Sequence, residues 1–212
     1  MPTSTERFSR ALARHAVDFA LEPGPDDIKR LSDYYELLLK WNDRLHLVAP
    51  CSPEEFATRH ILESLVLLPH LPPNARIVDV GSGAGLPIIP CLILRADIQA
   101  TLIESSKRKA VFLREALRLA NSQEPALLTA SRFEETTAPD VEFVTCRALD
   151  QFLKVLPALV DWAPKESTLL FFAGTSLRNQ IKRILPTAEA YLIPMSVQRF
   201  LVKATKGKSS DI

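Results

Sequence analysis

The sequence predicts an α/β fold: a Rossmann-like, seven-stranded, mostly parallel sheet with helices on both faces and an N-terminal helical extension. Three observations carry this. The first 70 or so residues hold apolar residues at helical spacing. After Pro73 the pattern changes to short apolar runs alternating with helical segments, as strands covered on both faces require. One of those runs, Ile77–Val80, leads directly into three glycines at alternate positions and then a helix. With 212 residues, 47% hydrophobic and 24% charged, the chain holds one main core, which excludes disorder, collagen-like sequence and a disulfide scaffold.

In chain order, Phe8, Leu12, His15 and Phe19 form a first helical stripe; after the break at Glu22–Pro25, Ile28, Leu31, Tyr35, Leu38, Asn42 and Leu45 form a second. Asp26 and Asp27 stand where caps belong. Ser52 caps a third helix, with Pro53 in its first turn, Glu55 at the capping-box position and Phe56, Ile61, Leu65 and Leu68 as its apolar face. Strands are expected at Ile77–Val80, Ala100–Glu104, Ala126–Ala130, Val141–Cys146, Thr168–Phe172, Tyr191–Met195 and Phe200–Ala204. Helices are expected at Pro87–Arg95, Lys107–Ala120, Leu149–Val160 and Leu177–Leu185. Only Ser196–Arg199 separate the last two strands, too few for a crossover helix, so these pair antiparallel. The organisation is an N-terminal helical extension over 1–73, a core over 74–205 and a frayed tail over 206–212.

The net charge of +1, from 26 Lys and Arg against 25 Asp and Glu, means that a nucleic-acid partner must be held by local basic patches. Cys51, Cys91 and Cys146 form no CxxC pair and no zinc spacing, and read as reduced thiols. No basic-then-apolar leader follows Met1, and the apolar runs fall well short of the ~20 residues of a membrane span. A cytoplasmic monomer without metal or membrane is expected.

The most informative segment is Ile77-Val-Asp-Val-Gly-Ser-Gly-Ala-Gly-Leu-Pro87. Gly81, Gly83 and Gly85 allow a sharp turn and close approach of a ligand to the backbone. A dinucleotide fingerprint, GxGxxG, would need glycine where Leu86 stands, so a nicotinamide dehydrogenase is disfavoured. The DxGxGxG spacing instead resembles the first loop of class I S-adenosylmethionine-dependent methyltransferases. Glu104, at the end of the next strand, can accept hydrogen bonds from both ribose hydroxyls, and Phe133 and Glu134, after the third strand, are placed to surround an adenine.

Further residues narrow the resemblance. Lys40-Trp41-Asn42, Arg59-His-Ile-Leu-Glu-Ser64, the loop ending Gly85-Leu86-Pro87, Lys107-Arg108 with Phe112-Leu113, and Arg147-Ala148 occur in order. Over about Tyr34 to Lys203 the chain resembles the glucose-inhibited division protein B family. The resemblance implies S-adenosylmethionine as cofactor, methyl transfer to N7 of a guanine in small-subunit (16S) ribosomal RNA, and the RNA or 30S particle as partner. It also implies that Gly81, Leu86, Phe133, Glu134 and Arg147 contact the cofactor. The chain departs from the family at His46-Leu47-Val48, at Ile88, and at Ala173-Gly174, where the family carries a lysine before the glycine. Two further readings remain open: a class I methyltransferase for another RNA or small molecule, and a cofactor-binding ribosome-assembly protein without turnover.

Guanine N7 carries a lone pair and no proton, so its methylation needs alignment rather than a general base. No catalytic residue is therefore assigned beyond Arg147, which can position the methionine carboxylate or the guanine edge. Arg59 and Glu63 can pair one helical turn apart, as can His60 and Ser64; the resemblance alone draws His60 and Glu63 toward the cleft. Lys107, Arg108, Lys109, Arg199 and Lys203 are the candidates for RNA contact, with Arg7, Arg10 and Arg14 as a further basic stripe.

Overall fold

The computed structural model describes residues 1–120, 126–147 and 151–206. The seven strands are β1 (Arg76–Val80), β2 (Gln99–Ile103), β3 (Leu127–Thr129), β4 (Phe143–Cys146), β5 (Thr168–Gly174), β6 (Glu189–Leu192) and β7 (Arg199–Thr205). They form one sheet in the order β3-β2-β1-β4-β5-β7-β6. The first five pair parallel, and β7 runs antiparallel between β5 and β6. The strand order reverses between β1 and β4, and ligands of open α/β sheets bind in the crevice at the carboxyl ends beside such a reversal.

Period-two alternation builds two cores. Ile77 and Leu102 face a layer made by the N-terminal helices, while Val78, Val80 and Val144 face the opposite layer. The first layer contains α1 (Ser4–His15), α2 (Pro25–Leu45), α4 (Ile88–Leu94) and α5 (Lys107–Ala116); the second contains α6 (Phe152–Trp162) and α7 (Thr175–Ile184). The predicted start of α6 at Leu149 and the Ala148 of the Arg147-Ala148 pair lie outside the described residues, as does the tail from 207 onward.

Three local expectations change. Gly24 precedes α2, Pro25 opens it, and Asp27 reaches back to accept the Gly24 N–H at 3.0 Å, so Asp27 closes the helix start from its third position and Asp26 does not. Ser52 does accept the Glu55 N–H, at 3.1 Å, but the Glu55 side chain turns to Arg59 instead of completing the box. The third helix, α3, is continuous but composite: Pro53–Glu55 and Glu63–Leu65 are α-helical, and Phe56–Leu62 between them is π-helical. There the Glu63 N–H bonds to the Thr58 carbonyl, one residue further back than in an α-helix. The Arg59 carbonyl is thereby left for other partners.

Candidate functional site

A cavity of about 640 Å³ opens at the reversal between β1 and β4. Its floor is the glycine loop. Gly81, Gly83 and Gly85 all have positive φ, at 72°, 54° and 80°, and the Gly81 and Ser82 amides donate to the Ile103 carbonyl, which holds the loop against the end of β2. From α2, the buried Tyr34 hydroxyl donates to the Ala84 carbonyl and fixes the far side of the turn.

The three glycines do different work. A Cβ on Gly83 would find its nearest neighbour, the Gly81 carbonyl oxygen, 3.6 Å away, so a side chain would stand in the open cavity. A Cβ on Gly85 would lie 2.3 Å from Ile89 Cδ1 and 3.2 Å from Leu113 Cδ2. Gly85 does not line the cavity; it lets the loop pack against α4 and α5. Leu86 and Gly81 do line it.

Glu104 forms the adjoining wall. It is buried, with one carboxylate oxygen accepting the Gly83 N–H at 2.8 Å and the other the Ser106 N–H at 2.7 Å. It therefore ties the glycine loop to the start of α5, while each oxygen keeps a lone pair for a ligand hydroxyl. Phe133, in a short turn after β3, is buried edge-on against Trp162 with ring centroids 5.5 Å apart and presents its ring to the cavity. Glu134 beside it is exposed at the rim and paired with Arg132 at 3.3 Å.

Arg147, at the end of β4, is held more tightly than a positioning side chain read from sequence suggests. Its guanidinium donates to the Arg59 carbonyl at 2.7 Å, the Ser64 hydroxyl at 2.9 Å and the His60 carbonyl at 3.3 Å, and pairs with Glu63 at 3.4 Å. The π-helical turn of α3 frees the Arg59 carbonyl that this cation uses. Burial holds the arginine's pKa below its ordinary value, with Glu63 opposing that push. Arg59 thus pairs with Glu55, not with Glu63, and the link between His60 and Ser64 runs through the His60 carbonyl. Glu63 is buried and shared by two arginines, the second being Arg199 at 2.6 Å. Burial raises the Glu63 carboxyl pKa, and both arginines pull it back.

The His60 ring lines the cavity against Phe56, and its pKa is pushed down to about 4, first by burial and then by Arg147 and Arg59, so it is a neutral imidazole at neutral pH. The roof is the loop after α2, where Leu47, Val48 and Ala49 line the cavity. Asn42 clamps that loop by exchanging two hydrogen bonds with the Val48 backbone, at 3.0 and 3.1 Å. His46 ends α2 in the left-handed conformation, φ 48°, one that asparagine adopts more readily.

The basic candidates separate. Lys107 and Arg108 are exposed at the start of α5, and Lys109 lines the cavity rim. Arg199 faces Gly174 at the carboxyl end of β5 but is committed to Glu63 through its Nε. Lys203 is registered against Leu170, four residues further down β7, and so does not stand at the carboxyl ends with Arg199. The sequence reading passed over α7, whose Arg178, Lys182 and Arg183 make no ion pair among the described residues and share the helix with no acid. Among the described residues no three His, Cys, Asp or Glu side chains gather as a metal site, and no helix is long and apolar enough to cross a membrane.

Beneath the loop lies Asp79, 1% exposed, whose two carboxylate oxygens have no hydrogen-bond partner among the described residues. Ser82 donates to its backbone carbonyl at 3.0 Å, leaving the carboxylate bare. Burial raises its pKa from 3.8 to about 7 despite the opposing pull of Ser82 and Arg147, with Glu104 adding to the rise. A raised carboxyl contributes stability below its unfolded pKa and loses that contribution as pH climbs through about 7. Asp79→Asn is therefore expected to gain stability relative to the native protein, by a few kcal/mol, between pH 4 and pH 8. Urea unfolding at each pH measures this difference, and a pH-independent difference would mean that Asp79 is ionised throughout.

The residues fit S-adenosylmethionine: a glycine turn that a side chain would obstruct, a carboxylate with free lone pairs beside it, and a buried ring one strand further on. Over residues 27–206 the chain matches the GidB family, described as rRNA small subunit methyltransferase G. The ribosomal RNA small subunit methyltransferase G of Chromobacterium violaceum is 32% identical over 218 residues, 93% of this chain and 100% of that one. That of Nitrosomonas eutropha is 50% identical over a shorter stretch of 96 residues, 43% of this chain and 44% of that one. In fold, a SAM-dependent methyltransferase from Aquifex aeolicus superposes with a TM-score of 0.56 at 15% identity, over 82% of this chain and 99% of that one. The chain belongs to the GidB family of S-adenosylmethionine-dependent methyltransferases, the rRNA small subunit methyltransferases G.

Proposed function

We propose that this protein transfers a methyl group to N7 of a guanine in small-subunit ribosomal RNA, acting as a monomer in the cytoplasm. The observation that carries the reading is the cavity at the strand reversal, where Gly83, Glu104, Phe133 and Arg147 converge from four different strand ends. S-adenosylmethionine supplies there an electrophilic methyl group on a sulfonium. Gly81 and Gly83 let its methionine part approach the backbone, Glu104 receives the ribose hydroxyls, and Phe133 covers an adenine face, with Leu86 and Glu134 at the edges. Arg147 fixes the geometry between β4 and α3.

No residue needs to remove a proton. With the cofactor bound, the N7 lone pair would form the new N–C bond as the C–S bond breaks, the electron pair of that bond passing to sulfur. The neutral His60 at the wall is consistent with a site that aligns and excludes water rather than one that moves a proton.

RNA contact is assigned to basic residues near the carboxyl strand ends: Lys107 and Arg108 at the start of α5 on one side, and Arg178, in the first turn of α7, on the other. Affinity for 30S particles is expected to fall steeply between about 50 and 200 mM salt. Charge reversal at Lys107 and Arg108 should weaken RNA binding while S-adenosylhomocysteine still binds; Lys109 is left out because it lines the cofactor cavity. The deciding experiment maps N7-methylguanosine on 16S ribosomal RNA from cells with and without the protein, and follows labelled methyl transfer to undermethylated 30S particles in vitro. Transfer to free nucleoside as efficient as to the particle would favour a small-molecule enzyme. Binding of cofactor and particle with no transfer would leave an assembly factor.

A further inference from the structure

Beside Arg147 a second cavity of about 220 Å³ opens, walled by Phe152, Phe172, Leu177 and Ile193, with Glu63 and Arg199 at its polar end. From its position and donor pattern we propose that it seats the target guanine base, Arg147 donating to O6 and Glu63 accepting from the N1–H and 2-amino edge. This rests on the guanine reading above and adds to it the residues that choose the base.

The order of the groups carries the argument. Arg147 lines both cavities, whereas Glu63 and Arg199 line only the second. A guanine whose imidazole edge faces the cofactor cavity presents in succession N7, then O6, then N1–H and the 2-amino group. Toward O6 stands a cation. The two terminal nitrogens of Arg147 are spent on Ser64, Glu63 and the carbonyls of Arg59 and His60, which leaves its Nε–H unpartnered among the described residues. Toward the donor edge stands a carboxylate. Each Glu63 oxygen accepts one arginine hydrogen bond and retains a lone pair. Arg199 uses its Nε on Glu63, so its two terminal nitrogens have no partner among the described residues and can receive the nucleotide's phosphate. The apolar walls suit the faces of the ring.

Adenine in the same seat meets two conflicts. Its 6-amino donor would face the Arg147 donor, and its N1 lone pair would face the Glu63 carboxylate. A site built around buried polar groups rejects an analogue that leaves them unpaired much more strongly than an apolar pocket rejects a missing methylene. Glu63 and Arg147 therefore act as specificity-determining residues, and the arginine pair offsets part of the cost of burying the carboxyl group at this depth.

The test titrates GMP, IMP and AMP into the intact protein saturated with S-adenosylhomocysteine, with binding read by saturation-transfer NMR. GMP is expected to bind roughly 10- to 100-fold more tightly than AMP, with IMP, which lacks the 2-amino group, between them. Glu63→Gln should lower the GMP-to-AMP ratio by about tenfold or more, a change in preference that a purely structural role would not produce. Leu177→Trp, in the apolar lining of this cavity and not in that of the first, should block GMP while S-adenosylhomocysteine affinity stays within about twofold. This second variant keeps the test decisive if Glu63→Gln unfolds. Equal affinity for GMP and AMP, no binding of either, or GMP binding unchanged in Leu177→Trp would overturn the assignment. A protein that methylates 30S particles without preferring GMP refutes the pocket and spares the function. One that prefers GMP but transfers nothing to 30S particles refutes the function and supports the pocket.

Discussion

Arg147→Ala is expected to lower methyl transfer to 30S particles by roughly 10²-fold or more and to destabilise the fold by about 3 kcal/mol. Both effects have the same origin. Removing the guanidinium leaves the buried Glu63 carboxylate with Arg199 alone and strips a donor from two α3 carbonyls and the Ser64 hydroxyl. The energetic loss is the penalty of uncompensated buried polar groups rather than the worth of one ion pair. The kinetic loss follows because Arg147 is the only described residue that lines both cavities, so its absence would loosen the proposed cofactor and base sites together. Misalignment of about an ångström costs on the order of 10²-fold in rate. Urea unfolding gives the first effect and single-turnover transfer gives the second, with S-adenosylhomocysteine affinity as a control. Arg147→Lys should recover part of the stability but little of the rate, since an ammonium replaces the charge without the planar set of donors. A large loss of stability with normal single-turnover rates would reduce Arg147 to a strut between β4 and α3.

Gly83→Val is expected to abolish S-adenosylmethionine and S-adenosylhomocysteine binding, a loss of at least about 100-fold, while the protein stays folded. The glycine sits at φ 54°, where a β-branched residue is strained, and its side chain would project into the cavity, not into a neighbour. The strain also bears on the Gly83 N–H that anchors Glu104 at 2.8 Å, so the carboxylate proposed to receive the ribose is disturbed at the same time. Calorimetry measures binding, and circular dichroism establishes that the fold persists. Gly85→Ala is the informative contrast: its Cβ would meet Ile89 at 2.3 Å, so the expected loss there is thermal stability, with binding failing only as the loop moves. Normal cofactor affinity in Gly83→Val would mean that the loop is only a turn.

The fold was legible because its determinants are periodic and local. Continuous apolar runs such as Leu169–Phe172 can be buried on both faces only in a covered parallel sheet, and the short connection between β6, which ends at Leu192, and β7, which starts at Arg199, admits only an antiparallel return. The glycine loop was legible for a related reason. Glycines at positive φ and a carboxylate at the next strand end are demands of the backbone, and they leave their trace at fixed spacing. Helix ends were read less well: the sequence offers Asp26 and Asp27 equally as caps, and only the helix start at Pro25, which puts Asp27 at the third position, selects Asp27.

The sequence by itself determined a doubly covered sheet, the glycine loop at its centre and the family to which the chain belongs. The tertiary structure alone decided the partners of its charges. Glu63 could have paired with Arg59 one turn away, yet it joins Arg147 and Arg199, which lie 84 and 136 residues further along the chain. Arg59 and Glu63 do not pair across the π-helical turn, and β4 and β7 bring two other cations to the same buried carboxylate. Spacing along a chain specifies which neighbours one helix or strand can offer. Where elements distant in sequence are packed together, the strongest pairing is the one that leaves the fewest buried charges and carbonyls unsatisfied, and only the packed molecule fixes which pairing that is.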